Sequence, residues 1–318
     1  MNVRETRKEE YRELLREAAA IGESSFYSAC AALCKKDLFY LLVYGLKRKD
    51  VDNDWLFERC RDVQMSPDGM LDLWSREHYK STIITYAKTI QDILGNPEIT
   101  VGILSHTKSI ARAFLRQIKQ ELEKNTNLQN LFPDILYSDP KKEAPAMGNN
   151  WSEDKGITVK RESNPKESTV EAHGLVDGQP TSKHFSLLVY DDVVTLESVS
   201  SPEMIQKTTD AWAISLNLGA HGGKRRYIGT RYHFNDTYKE MIMRGSAIQR
   251  IFAATDDGKD TGKPVFLDQE TLSEKRRDMG PYVFGCQMLQ DPKADSTQGF
   301  KNEWLCYYET EPELYMLN

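Results

Sequence analysis

Met70-Leu71-Asp72-Leu73-Trp74-Ser75-Arg76-Glu77-His78-Tyr79-Lys80-Ser81-Thr82 decides the fold of this chain. A short apolar run ends at Trp74 and a polar loop comes next. Lys80-Ser81-Thr82 then opens a helical pattern with Ile83, Ala87, Ile90 and Leu94 on one face, stopped by Gly95-Asn96-Pro97. Strand, loop, Lys-Ser-Thr and helix make a phosphate-binding P-loop. The helix N-terminus points free N–H groups at an anion, the lysine reaches the terminal phosphates, and the serine hydroxyl holds Mg²⁺. The general pattern places glycine at both ends of such a loop. Here Trp74 and Tyr79 stand there, and an ordinary strand-to-helix turn is the bland alternative.

Outward from the loop, strands and helices alternate. Ile99–Leu104 reads as a buried strand, and Lys108–Leu122 as a helix with Ile110, Phe114, Ile118 and Leu122 inward. The other face of that helix carries Lys108, Arg112, Arg116 and Lys119, which reads as a solvated face or as a DNA-facing track. The stretch 125–150 reads as loop, and Gly156–Arg161 with Thr169–Ala172 as a hairpin around Asn164-Pro165. Ser186–Asp192 is an apolar strand ending in two acids. Ser201-Pro202-Glu203 starts a helix with a serine cap and proline at its first position. Gly222-Gly223 reads as a turn and Arg226–Thr230 as a strand. A strand at Ile248–Ala254 lies between helices at Thr237–Met243 and Asp268–Met279, and residues 5–60 are helical. Such alternation implies a three-layer α/β fold around a mainly parallel sheet, with ligands at the carboxyl ends of the strands. Trp74, Tyr190 and Thr230 all mark such ends.

Asp191-Asp192 after four apolar residues is a Walker B arrangement. The first acid can hold Mg²⁺ and the second can orient or deprotonate a water, with Glu197 as an alternative base. The 318 residues carry 28% charged and 39% hydrophobic side chains and a net charge of −6, which excludes a uniformly basic, nucleic-acid-coating surface. No apolar run approaches membrane-spanning length, and the charged N-terminus is unlike a signal peptide, so a cytoplasmic protein without membrane contact is expected. The five cysteines are scattered and lack zinc spacing, and read as reduced buried thiols. His78, His106, His184 and His233 read as structural.

These motifs resemble the large terminase subunits of tailed bacteriophages. Ser75 to Thr82 is similar to their Walker A variant, with an arginine four residues before the lysine. Gly174 to Asp192 resembles their approach to Walker B, and Asp191-Asp192-Val193-Val194 with Glu197 resembles the stretch after it. Gly222 to Asp236 contains a likeness of the coupling motif, Gly229-Thr230-Arg231, and Tyr282 to Leu305, with Gln287, Pro292 and Phe300, resembles the run that joins motor to nuclease. The resemblance covers residues 55–310.

It implies an ASCE-type P-loop ATPase core with a small helical lid. Residues 1–65 would be a helical lid segment with the adenine pocket around Trp55 to Gln64, residues 66–255 the core, and 256–318 a lid and linker leading toward a nuclease domain not in this chain. Ser75 to Thr82 would bind nucleotide. Arg76 would contact phosphate, Lys80 and Ser81 phosphate and Mg²⁺, Asp191 the metal, and Asp192 or Glu197 the water. Thr230 would couple phosphate state to movement. Lys183 stands near the place of a trans-acting finger, with Arg225, Arg226 and Arg231 as alternatives. The implied cofactor is Mg²⁺ with ATP as substrate. The implied partners are double-stranded DNA, the portal of the procapsid, the small terminase subunit and further copies in a homo-oligomeric ring, a pentamer, on the portal. The implied location is the bacterial host's cytoplasm, transiently at the portal. A helicase-like ATPase and a non-hydrolysing DNA-binding or assembly module with a degenerate loop are the rival readings.

Overall fold

The computed structural model describes residues 2–292; Phe300, Leu305 and Cys306 lie outside the described residues. Four helical segments open the chain: α1 (Val3–Ile21), α2 (Glu23–Lys36), α3 (Leu38–Tyr40), which runs on into π-helical turns, and α4 (Asp54–Met65). Side-chain caps start three of them, with Asn2, Asp37 and Asn53 each accepting from a first-turn N–H. Then come β1 (Met70–Trp74), π-helical turns over Thr82–Lys88 continuing into α5 (Thr89–Gly95), and β2 (Val101–Ser105). Next are α6 (Lys108–Lys124), α7 (Thr126–Leu131) and α8 (Pro140–Ala146), the last two within the stretch expected to be loop. The chain continues through β3 (Trp151–Ser152), β4 (Gly156–Ile157), β5 (Val170–Gly174), β6 (Phe185–Asp191) and α9 (Pro202–Ser215). The last described elements are β7 (Gly219–Gly229), α10 (Thr237–Met243), β8 (Ile248–Phe252) and α11 (Gln269–Gln287).

Among the described residues the strands form one sheet of eight, in the order β3-β4-β5-β2-β6-β7-β1-β8. The six from β5 to β8 are parallel, while β4 pairs antiparallel with both β3 and β5. The expected hairpin is therefore a three-strand edge, with Ile157 opposite both Trp151 and Val170. Gly222-Gly223 does not turn the chain. It lies inside β7, where Gly222 at φ 71° absorbs a register shift against β6.

Alternation along the strands divides the core in two. Leu187 and Val189 of β6 join the core beneath α1–α4, the P-loop helix and α6. Leu188 and Tyr190 join the opposite core, with Trp212 of α9 and Tyr238 of α10. The result is a three-layer αβα P-loop NTPase fold in which one strand, β7, separates the P-loop strand β1 from the acidic strand β6. That is the ASCE arrangement. Leu272, Phe284 and Met288 of the α11 region form a small helical cluster of their own with Ala254 and Leu289.

Gly229 ends β7 under the ring of Tyr238. A Cβ there would lie 2.0 Å from the Tyr238 hydroxyl, which is buried and donates to the Ile228 carbonyl at 3.3 Å. Gly229→Ala should therefore destabilise the chain by about 1–3 kcal/mol, the usual cost of overpacking, read by chemical denaturation. An unchanged midpoint would mean that Tyr238 moves aside freely.

Candidate nucleotide site

The loop between β1 and its helix takes a left-handed conformation twice, at Glu77 (φ 65°) and Tyr79 (φ 61°). Tyr79 stands where the general pattern has glycine, and the backbone adopts the glycine-like angle regardless, at a cost of order 1 kcal/mol. Packing over-determines the shape. The Tyr79 ring lies 5.8 Å from Phe266 and 5.9 Å from the Arg48 guanidinium. His78 is fully buried, edge-on to Trp55 at 5.3 Å, and its Nδ1–H donates to the Arg76 carbonyl at 2.7 Å. Burial holds the His78 pKa below its usual value, which favours the neutral ring. Trp74 belongs to the strand, wholly buried against Trp55 and Phe252. Backbone bonds Ser75 N–H to Phe252 O (2.9 Å) and Arg76 N–H to Gln287 O (3.1 Å) anchor the loop's start.

Lys80 is 9% exposed. Its ammonium donates to Thr230 Oγ1 at 2.9 Å and stands 3.8 Å from the Asp192 carboxylate. Ser81 Oγ donates to Asp191 Oδ1 at 3.1 Å, and Thr85, one turn further along the helix, donates to the other oxygen. The structure thus brings Lys80, Ser81, Asp191, Asp192 and Thr230 together at the carboxyl edge of three adjacent strands. Sequence reasoning missed Thr85, although its place four residues after Ser81 puts it on the same helix face.

Arg76 lies at the rim, its guanidinium donating to the Tyr232 hydroxyl and 5.8 Å from that ring's centre. Glu77 pairs with Lys275 of α11 at 2.7 Å. Thr82, Glu77 and Tyr79 line an open cavity of about 460 Å³ with Phe266 and Leu267. Trp55 backs the loop beneath it, 5.7 Å from Phe266. Glu197 makes no hydrogen bond or ion pair with these groups; 72% of its side chain is exposed, and its carboxylate lies 3.8 Å from His106 Nε2.

Lys183 is not among these groups. It precedes β6, at the opposite edge of the sheet, and donates to Glu171 at 2.8 Å and to the Lys166 carbonyl. Arg231 is locked inward on Asp236 at 2.8 Å and on the carbonyls of His233 and Phe234. Arg226 pairs with Asp92 at 2.6 Å, and Arg225 precedes it on β7. On α6, Arg112, Arg116 and Lys119 pair with Asp154, Glu153 and Glu123, so most of its basic stripe is neutralised.

The donor set fits Mg²⁺. A serine hydroxyl and a carboxylate are hard oxygens, and Mg²⁺ is usually held by one or two protein groups with water and phosphate completing the shell. Asp192 Oδ1 is buried without a hydrogen-bond partner beside them. Among the described residues no group of three or more His, Cys, Asp or Glu side chains is arranged to hold a metal by itself. No described helix is long and apolar enough to cross a membrane.

No family model matches the chain, and no curated protein does. Solved structures do. The Thermus phage P74-26 large terminase ATPase domain is similar with a TM-score of 0.43 at 15% identity, over 76% of this chain and 98% of that one. The large terminase of a thermophilic bacteriophage is similar with a TM-score of 0.42 at 15% identity, over 73% of this chain. This chain covers 52% of that protein's length. A complex of the same thermophilic phage protein with ADP scores 0.40 at 14% identity, over 72% of this chain and 51% of that one.

Burial and, next, the charge of Asp192 push the Asp191 carboxyl up to about 7, against the opposing pull of Lys80, Thr85 and Ser81. A carboxyl whose folded pKa is raised adds stability below its unfolded value of 3.8 and loses it as pH rises through 7. Without metal, Asp191→Asn should therefore gain on the parent chain between pH 5 and pH 8, by up to about 3 kcal/mol. Thermal melts in chelator at both pH values measure the difference. A gap that does not widen toward pH 8 would show that Asp191 ionises at little cost.

Proposed function

We infer that this chain is the ATP-hydrolysing motor domain of a phage DNA-packaging enzyme, translocating double-stranded DNA into a procapsid. The observation that carries the ATPase half is Lys80: one buried ammonium is bonded to the Thr230 hydroxyl just past β7 and ion-paired with Asp192 beyond β6. A single phosphate group arriving there meets the P-loop, the coupling strand and the acidic pair at once. The DNA-packaging half rests on the likeness of Ser75–Thr82, Gly174–Asp192 and Gly222–Asp236 to terminase motifs.

The loop and helix N-terminus supply N–H groups to the phosphates. Lys80 turns from Thr230 and Asp192 to the β- and γ-phosphates, which frees Thr230 to report their presence. Ser81 and Asp191 would hold Mg²⁺, which neutralises charge across the β- and γ-phosphates when bound. Arg76, leaving Tyr232, is placed to reach the γ-phosphate from the rim. The nucleoside lies over Tyr79, Thr82 and Phe266, where an aromatic wall offers a base a stacking surface. A degenerate, non-hydrolysing loop finds no support in this geometry, because Tyr79 takes the left-handed backbone angle that a glycine would. In the assembled machine the chain would act as one of a ring on the portal, with the small terminase subunit delivering DNA and a neighbour supplying a positive finger.

Lys80→Ala should lower ATP turnover by at least about 100-fold, since no other group in the loop offers a compact charge to the β- and γ-phosphates. Near-normal hydrolysis would remove the P-loop assignment. Thr230→Val, which keeps shape and removes one hydroxyl, should bind ATP yet fail to fill procapsids in the complete packaging system. Unwinding of duplex DNA by the parent chain without packaging would favour a helicase.

A further inference from the structure

His106 comes directly after β2, next to the acidic strand in the sheet, and its backbone N–H faces the Asp192 carbonyl at 3.4 Å. The ring is 4% exposed, and its Nδ1 is buried with no hydrogen-bond partner. Nε2 lies 3.8 Å from Glu197 Oε2, whose exposed side chain is free to approach it. Glu197 opens a short 3₁₀ turn, Glu197–Val199, and no other side chain among the described residues holds its carboxylate.

Asp192 is the less free of the two acids. Its backbone sits at φ 48°, its side chain is one methylene shorter, and its carboxylate faces the P-loop lysine. Glu197 is long, exposed and open to solvent, to which a base must return its proton.

We propose that His106, whose backbone is bonded to Asp192, is a positioning residue for ATP hydrolysis: it holds Glu197 beside the acidic pair, and Glu197 takes the proton of the attacking water. This rests on the ATPase reading above. In the step, the water oxygen bonds to the γ-phosphorus and the bond from that phosphorus to the β–γ bridging oxygen breaks. ADP leaves with the electron pair. The water's proton passes to Glu197 and then to solvent. His106 donates Nε2–H to the Glu197 carboxylate, fixing its direction, and touches neither water nor phosphate.

Steady-state hydrolysis of ATP with Mg²⁺ by the full chain tests this, with kcat and KM separated and nucleotide binding followed by calorimetry. Glu197→Gln should lose about 100-fold or more in kcat, the usual share of a general base, with nucleotide affinity kept. His106→Ala should lose about 10-fold or more in kcat at unchanged KM, because a misdirected base loses its alignment. His106→Asn, which keeps a donor, should recover most of that loss. The double variant His106→Ala/Glu197→Gln should be no slower than Glu197→Gln alone, since groups acting as a unit are not additive. Glu197→Gln with parental kcat, or a His106 loss that multiplies fully with the Glu197 loss, overturns the proposal. If His106→Ala does not fold, His106→Asn and Glu197→Gln decide it. A parent chain that turns over no ATP brings down the ATPase reading and this proposal with it; an active parent indifferent to His106 brings down the positioning role alone.

Discussion

A buried ammonium is costly unless its charge and its protons are answered, and Lys80 is answered by two strands that are not its own. Thr230 Oγ1 accepts a hydrogen bond from it at 2.9 Å and Asp192 supplies charge at 3.8 Å. The resting cluster of one cation and two carboxylates is short of positive charge. Asp191 meets the shortage by holding its proton up to about neutral pH, as complete burial and the neighbouring Asp192 charge dictate. A divalent cation with its nucleotide would relieve the same shortage. The site is thus poised electrostatically for a cation, and the groups that hold Lys80 are the ones such a ligand would meet.

The loop's other attachments carry that change away from the sheet. Arg76 is bonded through its backbone to Gln287 and through its guanidinium to Tyr232. The Tyr232 carbonyl in turn accepts from Tyr282, and Gln290 accepts from the Arg231 backbone. The loop after β1 and the loop after β7 therefore meet on the same few residues at the end of α11. That part of α11 is set off from the rest by a kink at Gly280 (φ 71°) before Pro281, while its first half is tied to Glu77 through Lys275. A rotation of Arg76 toward phosphate breaks one of these ties and loads the others.

Much of this was legible in the residues because periodicity and short-range chemistry carried it. Short apolar runs located β1, β2 and β6, and the Lys-Ser and Asp-Asp pairs marked the carboxyl ends of β1 and β6 without any knowledge of strand order. The features that stayed hidden depended on long-range packing. Nothing local shows that Gly222-Gly223 continues a strand, because the register shift that uses them belongs to β6 as well. Tyr79 reads as a defect until Phe266 and Arg48 are seen to hold it. Lys183 lies near Asp191-Asp192 in sequence, and the whole length of β6 separates it from this chain's own carboxyl edge, so a finger role for it is toward a neighbouring copy. His106 carries no ligand spacing, because its partner Glu197 is far along the chain and meets it only through β2–β6 pairing.

Strand order explains why these particular groups can cooperate. Adjacent strands lie about 4.8 Å apart, so one intervening strand sets the P-loop and the acidic pair roughly 10 Å apart. That gap is too wide for Ser81 and Asp191 side chains to span from strand ends alone. It is bridged because Ser81 rides on a helix that leans back over the sheet, and because Thr85 one turn later holds the second carboxylate oxygen. The floor of the gap is β7, and the residue that surfaces there is Thr230, wholly buried beneath the lysine. Gly229 just before it has no side chain, which lets Tyr238 pack close below. A bulkier floor would lift Thr230 against Lys80, and direct pairing of β1 with β6 would leave no strand between them to carry it.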